Sequence, residues 1–150
     1  MKTVRWVTFW LLIFGWACLG LIGCQKQTTA QDSYKIPLEA ASRKNPLGAD
    51  SATKGKQVYD ASDCGVCHGS AGDGQGVVAK QMGVDSHIRN WHDPKSLQDL
   101  TDGELYYIIV KGKRRMPGYE GIQTDEQCWE MVSYIRSLAG QPTAGNAGGN

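Results

Sequence analysis

Cys64-Gly65-Val66-Cys67-His68 is the stretch on which the reading of this 150-residue chain turns. Two cysteines at this spacing fall one helical turn apart with both sulfurs on one face, where they can add to the two vinyl groups of a haem. His68 follows directly, so its imidazole is delivered to the iron, which takes a proximal His readily. The same Cys-x-x-Cys spacing occurs in dithiol redox pairs and in structural zinc sites. Neither alternative has its context here. A dithiol pair follows a buried strand within a βαβ unit, whereas residues 55–63 form a polar helical stretch. A closed zinc site needs four ligands, and His87, His92 and the isolated Cys128 form no second pair of similar spacing. The motif therefore predicts one covalent haem c on Cys64 and Cys67.

Outward from the motif, residues 55–63 belong to a first helix predicted over Ala52–Ala61. Gly55 and Tyr59, four apart on one face, would let another helix cross closely with the ring beside the crossing. An exposed glycine and an ordinary core tyrosine fit the same residues. After His68, four glycines in the eight residues Gly69-Ser70-Ala71-Gly72-Asp73-Gly74-Gln75-Gly76 mark a loop that would wrap the haem edge. A phosphate-binding loop is excluded, since no strand precedes the glycines and no Gly-Lys-Ser/Thr follows. A second helix is predicted within residues 93–111, where Thr101 and Glu104 form a capping box, Leu105, Ile108 and Ile109 an apolar face and Gly112 a stop. A third starts at the capping box Thr124-Asp125-Glu126-Gln127, carries Trp129, Val132, Ile135 and Leu138 on a drifting face, and stops near Gly140 and Pro142. Its apolar face can pack into the groove at Gly55. Cys128, a lone cysteine, reads as a small buried hydrophobe.

Between the last two helices lies Lys111-Gly112-Lys113-Arg114-Arg115-Met116-Pro117-Gly118-Tyr119. Met116 is the predicted second iron ligand. A soft, uncharged thioether opposite an imidazole favours reduced iron and leaves no open position for substrate or oxygen. Pro117 would stiffen the loop and Gly118 would let it turn. Met82, His87 and His92 are the rivals, but Met82 lies only 14 residues past His68, while Met116 lies 48 on, enough for a helix to cross between. Lys111, Lys113, Arg114 and Arg115 flank this loop and could steer an acidic partner.

At the amino terminus, Lys2 and Arg5 precede residues 6–23, an uncharged run of 18 residues. The run ends Leu21-Ile22-Gly23-Cys24, which resembles a bacterial lipobox, so residues 1–23 are predicted to be a lipoprotein signal peptide and Cys24 the lipidated first residue. An uncleaved transmembrane anchor is the alternative. Both place the remainder on the outer, periplasmic face, because the positive residues stay in the cytoplasm. Residues 24–50 read as a polar tether, 51–140 as the domain, and 141–150 as a disordered Gly- and Asn-rich tail. Lys plus Arg is 16 against 15 acids, a balance that argues for no nucleic-acid partner.

Taken together, Gly55-x-x-x-Tyr59, Cys64-Gly-Val-Cys67-His68-Gly69, Gly72-Asp73-Gly74, Asp102-Gly103-Glu104-Leu105-Tyr106, Met116-Pro117 and Trp129-x-x-Val132-x-Tyr134-Ile135-x-x-Leu138 resemble the class I monohaem cytochromes c. The resemblance covers about residues 45–138 and is closest to lipid-anchored monohaem subunits of bacterial respiratory complexes such as alternative complex III. It implies an all-α fold of three to five helices around one haem, with the first and last helices crossing near Gly55, Tyr59 and Trp129. It also implies His68 and Met116 as axial ligands. One departure stands out: many members carry, after the haem motif, a proline whose carbonyl accepts the proximal His proton, and residues 69–93 contain none.

The function expected on these grounds is a membrane-tethered one-electron carrier, not an enzyme, with redox proteins or a membrane respiratory complex as partners and no small-molecule substrate. An open-site haem enzyme or ligand sensor, and a subunit whose haem only stabilises the fold, are the competing readings.

Overall fold

Capping boxes start two of the three long helices. The Thr101 and Thr124 hydroxyls accept from the backbone N–H of Glu104 and Gln127, and the Glu104 and Gln127 side chains accept in return from the N–H of the two threonines. The computed structural model describes residues 34–84 and 87–141. Six α-helices follow one another there: α1 (Leu38–Ala41), α2 (Ala52–Ala61), α3 (Gly65–His68), α4 (Val77–Gln81), α5 (Asp102–Lys111) and α6 (Asp125–Leu138). Short 3₁₀ turns occupy Ala49–Ser51 and Pro94–Leu97, and no strand occurs among the described residues. The fold is the expected small all-α one, with six helices where three to five were expected, because Leu38–Ala41, Gly65–His68 and Val77–Gln81 form helices of only four or five residues that carry no apolar period. No helix of the described residues is long and apolar enough to cross a membrane.

The helix anticipated within residues 93–111 comes as two pieces. Asp93 caps the Pro94–Leu97 turn by accepting from Lys95 N–H. Continuation is then blocked because the Arg136 guanidinium takes the carbonyls of Leu97 (3.1 Å) and Leu100 (2.5 Å), which a longer helix would use itself. The same guanidinium donates to Asp102 at 2.8 Å, so the end of α6 is tied to the start of α5.

The α2–α6 crossing carries the core. A Cβ built on Gly55 would stand 1.9 Å from the Glu130 carbonyl oxygen and 2.9 Å from Tyr134 Cβ, so the helices meet backbone to backbone and the exposed-glycine alternative falls. Tyr59, 1% exposed, fills the space beside the crossing, with its ring 5.2 Å from Tyr134 and edge-on to Trp91 at 6.0 Å. Val132, Ile135 and Leu138 complete the buried face of α6.

Residues 34–50, expected to be tether, pack on the domain instead. A Cβ on Gly103 would lie 1.9 Å from the Ala40 carbonyl oxygen, so α1 sits directly on α5. Arg43 lies over the Tyr106 ring (4.3 Å) and the Trp129 ring (5.0 Å), which stack on each other at 4.2 Å. Asn45 donates to the Trp129 carbonyl (3.2 Å) and to Ser133 Oγ (2.8 Å), and Thr101 Oγ1 donates to the Ala41 carbonyl (2.6 Å). The segment was polar without apolar period because its attachment uses a cation on rings and hydrogen bonds rather than an apolar stripe. The predicted signal peptide, Cys24, residues 25–33 and residues 142–150 lie outside the described residues.

Candidate functional site

Helix α2 runs into the Cys motif through Asp63, whose φ of +54° turns the chain. Cys64 then caps the single turn α3, and its carbonyl accepts from the N–H of Cys67 (3.3 Å) and His68 (3.0 Å). The turn is gripped from three sides. Tyr59 Oη donates to the Gly69 carbonyl (2.5 Å), Gly74 N–H donates to the His68 carbonyl (2.8 Å), and a Cβ on Gly76 would sit 2.3 Å from Cys67 C and O. The glycine loop therefore folds back on the motif, with positive φ at Gly69, Gly72 and Gly74. Cys64 and Cys67 are free thiols with partial exposure. Burial holds the Cys64 thiol above its ordinary value, partly offset by the Tyr119 hydroxyl.

His68 stacks on Trp91, with centroids 4.6 Å apart and planes 21° from parallel. Burial pushes its imidazole down to about 4. At neutral pH the ring is therefore uncharged, the form that ligates a metal. Its Nδ1 is enclosed and has no hydrogen-bond partner in the protein.

The loop carrying Met116 is a tight turn closed by reciprocal backbone bonds, Lys113 N–H to Met116 O and Met116 N–H to Lys113 O, both 3.0 Å. Arg114 supplies the positive φ (+57°) and Gly112 another (+77°). Gly118 has a different role from the turning one expected of it. Its Cβ would stand 2.5 Å from the Val110 carbonyl oxygen, so it permits close approach of the loop to the end of α5. Beyond it, Tyr119 and Glu120 N–H donate to the carbonyls of Ile109 and Val110 at 3.0 Å. Tyr119 Oη reaches the Ser62 carbonyl (3.0 Å) and lies 3.9 Å from Cys64 Sγ. The structure thus brings the Met116 loop against the start of the Cys motif, with Met116 half-buried on the core.

The rival ligands sit otherwise. Met82 is exposed at the end of α4, and His87 lies at the surface. Both ring nitrogens of His92 are engaged, Nδ1 with the Gln141 carbonyl (2.9 Å) and Nε2 with that of Ala71 (2.8 Å). Among the described residues no group of three or more His, Cys, Asp or Glu side chains is placed to hold a metal ion, so the zinc alternative gains no second ligand pair. Of the four basic residues, Lys111 pairs with Glu120 and Lys113 lies over the Tyr34 ring at 5.3 Å. Arg114 and Arg115 are exposed at the turn, and no ion pair of theirs occurs among the described residues. Two surface clefts, one floored by Arg43 and Tyr106 and one by Lys56 and Tyr134, lie away from Cys64, His68 and Met116.

These residues fit a haem. Two free thiols stand one turn apart, an uncharged imidazole with an orphaned Nδ1 follows them, and a thioether is carried by a turn closed by two backbone hydrogen bonds, three residues before the Tyr119 that reaches Cys64. Sequence reasoning missed Trp91 and Tyr119, the side chains that hold His68 and dock the Met116 loop. Both lie in segments without periodicity, where no local signal marks them.

A family model described as Cytochrome C oxidase, cbb3-type, subunit III matches residues 50–135. The match spans Cys64, Cys67, His68 and Met116 and leaves out Cys24 and the segment before residue 50. No curated protein matches the chain.

Proposed function

The chain belongs to the cytochrome c family described as Cytochrome C oxidase, cbb3-type, subunit III, and from that premise we propose that it is a membrane-tethered one-electron carrier of a respiratory chain. A cytochrome c domain binds haem c and serves electron transport. The haem supplies the redox chemistry, its iron taking up and returning one electron. Cys64 and Cys67 would hold it through their thiols, and His68 and Met116 would supply the imidazole and the thioether for its iron. The observation that carries this reading is the His68 imidazole: uncharged, half-buried, placed one residue after Cys67 and fixed against Trp91. A thioether from Met116 together with the His68 imidazole would leave a haem iron no free position for substrate or oxygen, which suits electron transfer without bond making at the metal.

Cys24 carries the lipid anchor on the outer face of the membrane, where two acyl chains give stable attachment. Because residues 34–50 pack on the domain, only residues 25–33 separate the anchor from it, a reach of at most about 30 Å. The carrier is therefore held near its membrane, which favours exchange with a quinol-oxidising complex and a terminal oxidase embedded there. The lipobox-like Leu21-Ile22-Gly23-Cys24 supports a place among lipid-anchored monohaem subunits such as those of alternative complex III. The exposed Arg114 and Arg115, beside Met116, form the docking point for an acidic partner.

Absorption spectra of the oxidised and reduced protein test the proposal. A low-spin c-type spectrum with the weak far-red band of iron bound to Met sulfur, lost in Met116→Ala together with a fall in potential, is the expected result. A high-spin haem that binds carbon monoxide at once would replace it with an open-site enzyme or sensor. Absence of haem would remove it altogether.

A further inference from the structure

A histidine that ligates a metal normally donates its second ring N–H to a carboxylate, carbonyl or water, and that bond fixes the ring and raises its basicity. No carboxylate or carbonyl of the protein plays this part for His68, whose Nδ1 is enclosed without a protein partner. The carbonyls nearest in sequence are taken: His68 O by Gly74 N–H, Gly69 O by Tyr59 Oη, and Gly72 O by Trp91 N–H. What meets the ring instead is the face of Trp91, 4.6 Å away and 21° from parallel.

Trp91 is itself immobilised. It is 7% exposed, Tyr59 stands edge-on to it, and its backbone N–H is bonded to Gly72 O at 3.0 Å. Its indole fits because Gly72 has no Cβ, which would lie 2.8 Å from Trp91 Cε3. Two residues earlier, Arg89 clasps both oxygens of Asp99 at 2.6 and 2.7 Å and pins the loop. Rotation of the imidazole about its axis would drive a ring edge into the indole face.

We infer that Trp91 is the positioning residue for the iron ligand, setting the plane of His68 by flat stacking in place of the usual hydrogen bond. The inference rests on the reading of His68 as an axial ligand. Two consequences follow. The imidazole would be offered to a haem iron in one orientation, and, giving no proton to a protein acceptor, it would be a weaker donor that favours reduced iron.

The test uses the full-length holoprotein with Trp91→Phe, which keeps a flat face, and Trp91→Leu, which keeps apolar volume without one. Low-temperature electron paramagnetic resonance of the ferric form reads the ligand plane, redox titration reads donor strength, and urea unfolding reads packing. The expected result is one sharp low-spin signal and an unchanged potential in Trp91→Phe. Trp91→Leu should give a broadened or doubled signal and a lower potential, because the freed ring can turn Nδ1–H to an acceptor. A folded Trp91→Leu with wild-type signal and potential would overturn the inference. If Trp91→Leu yields no holoprotein, nuclear Overhauser contacts between the indole and the His68 ring in the diamagnetic ferrous wild type decide, and their absence overturns it. An unchanged low-spin spectrum in His68→Ala would remove His68 as a ligand, and the inference with it.

Discussion

Replacing Gly55 by Ala is the sharpest test of the helix crossing, because the two ways of placing this glycine predict opposite signs. In an exposed helical position the change removes backbone freedom from the unfolded chain and stabilises by up to about 1 kcal/mol. At the crossing, the new Cβ would stand 1.9 Å from Glu130 O and 2.5 Å from Glu130 C, both backbone atoms that cannot swing aside. Ordinary contact begins near 3.4 Å, so α2 and α6 must part by about 1.5 Å, enough to forfeit more than half of each dispersion contact between them. Overpacking of a core costs about 1–3 kcal/mol, and a backbone clash lies at the upper end. Set against the propensity gain, the net loss is about 2 kcal/mol. For a domain of this size that lowers the melting temperature by about 10 °C. Thermal and urea unfolding of the holoprotein, followed by far-ultraviolet circular dichroism, measure both. Haem incorporation should fall as well, because a shifted α2 carries Tyr59 Oη off the Gly69 carbonyl that anchors the Cys motif. An Ala variant as stable as the wild type, or more so, would refute the crossing.

Three further perturbations separate parts of the structure. Cys128 is 1% exposed and burial pushes its thiol up to about 11, so the reactive thiolate is scarce until the pH approaches that value; at pH 8 iodoacetamide should leave it unmodified in the folded protein and modify it in urea, and rapid labelling of the native state would contradict its burial. Gly103→Val should lift residues 34–48 off α5, with faster amide exchange and new proteolytic cuts there while α2 and α6 stay protected; unchanged exchange would show that the segment is not held at Gly103. Charge reversal at Arg114 and Arg115 should slow electron transfer to an acidic partner about ten-fold at low ionic strength, whereas Lys111→Gln, whose charge Glu120 already offsets, should stay within about two-fold; equal effects at the two places would dissolve the distinction.

Much of this protein is legible in its sequence, for reasons that are local. A Cys-x-x-Cys-His spacing presents two thiols and an imidazole from one turn whatever surrounds it, and α3 does so. Thr101 and Thr124 start their helices through bonds that reach three residues, so the beginnings of α5 and α6 follow from composition. Gly55 with Tyr59 marks a face suited to close crossing. Even the absence of a proline in residues 69–93 points to something unusual about the orientation of His68.

Other features exist only once distant residues have met. Nothing near Gly103 announces that the Ala40 carbonyl will rest on it, and residues 34–50 read as tether because their partners, Tyr106, Trp129 and Ser133, lie more than 60 residues away. The break ahead of α5 is made by Arg136, whose guanidinium takes carbonyls some 36 residues upstream. Trp91 carries no periodic or capping signal, and its place on the His68 ring depends on Gly72, Tyr59 and the folded loop between them. Sequence therefore determines the chemical groups this chain can present, because hydrogen-bonded turns and caps close over a few residues. Which of those groups are held still, and in what orientation, is decided by packing between segments far apart in the chain.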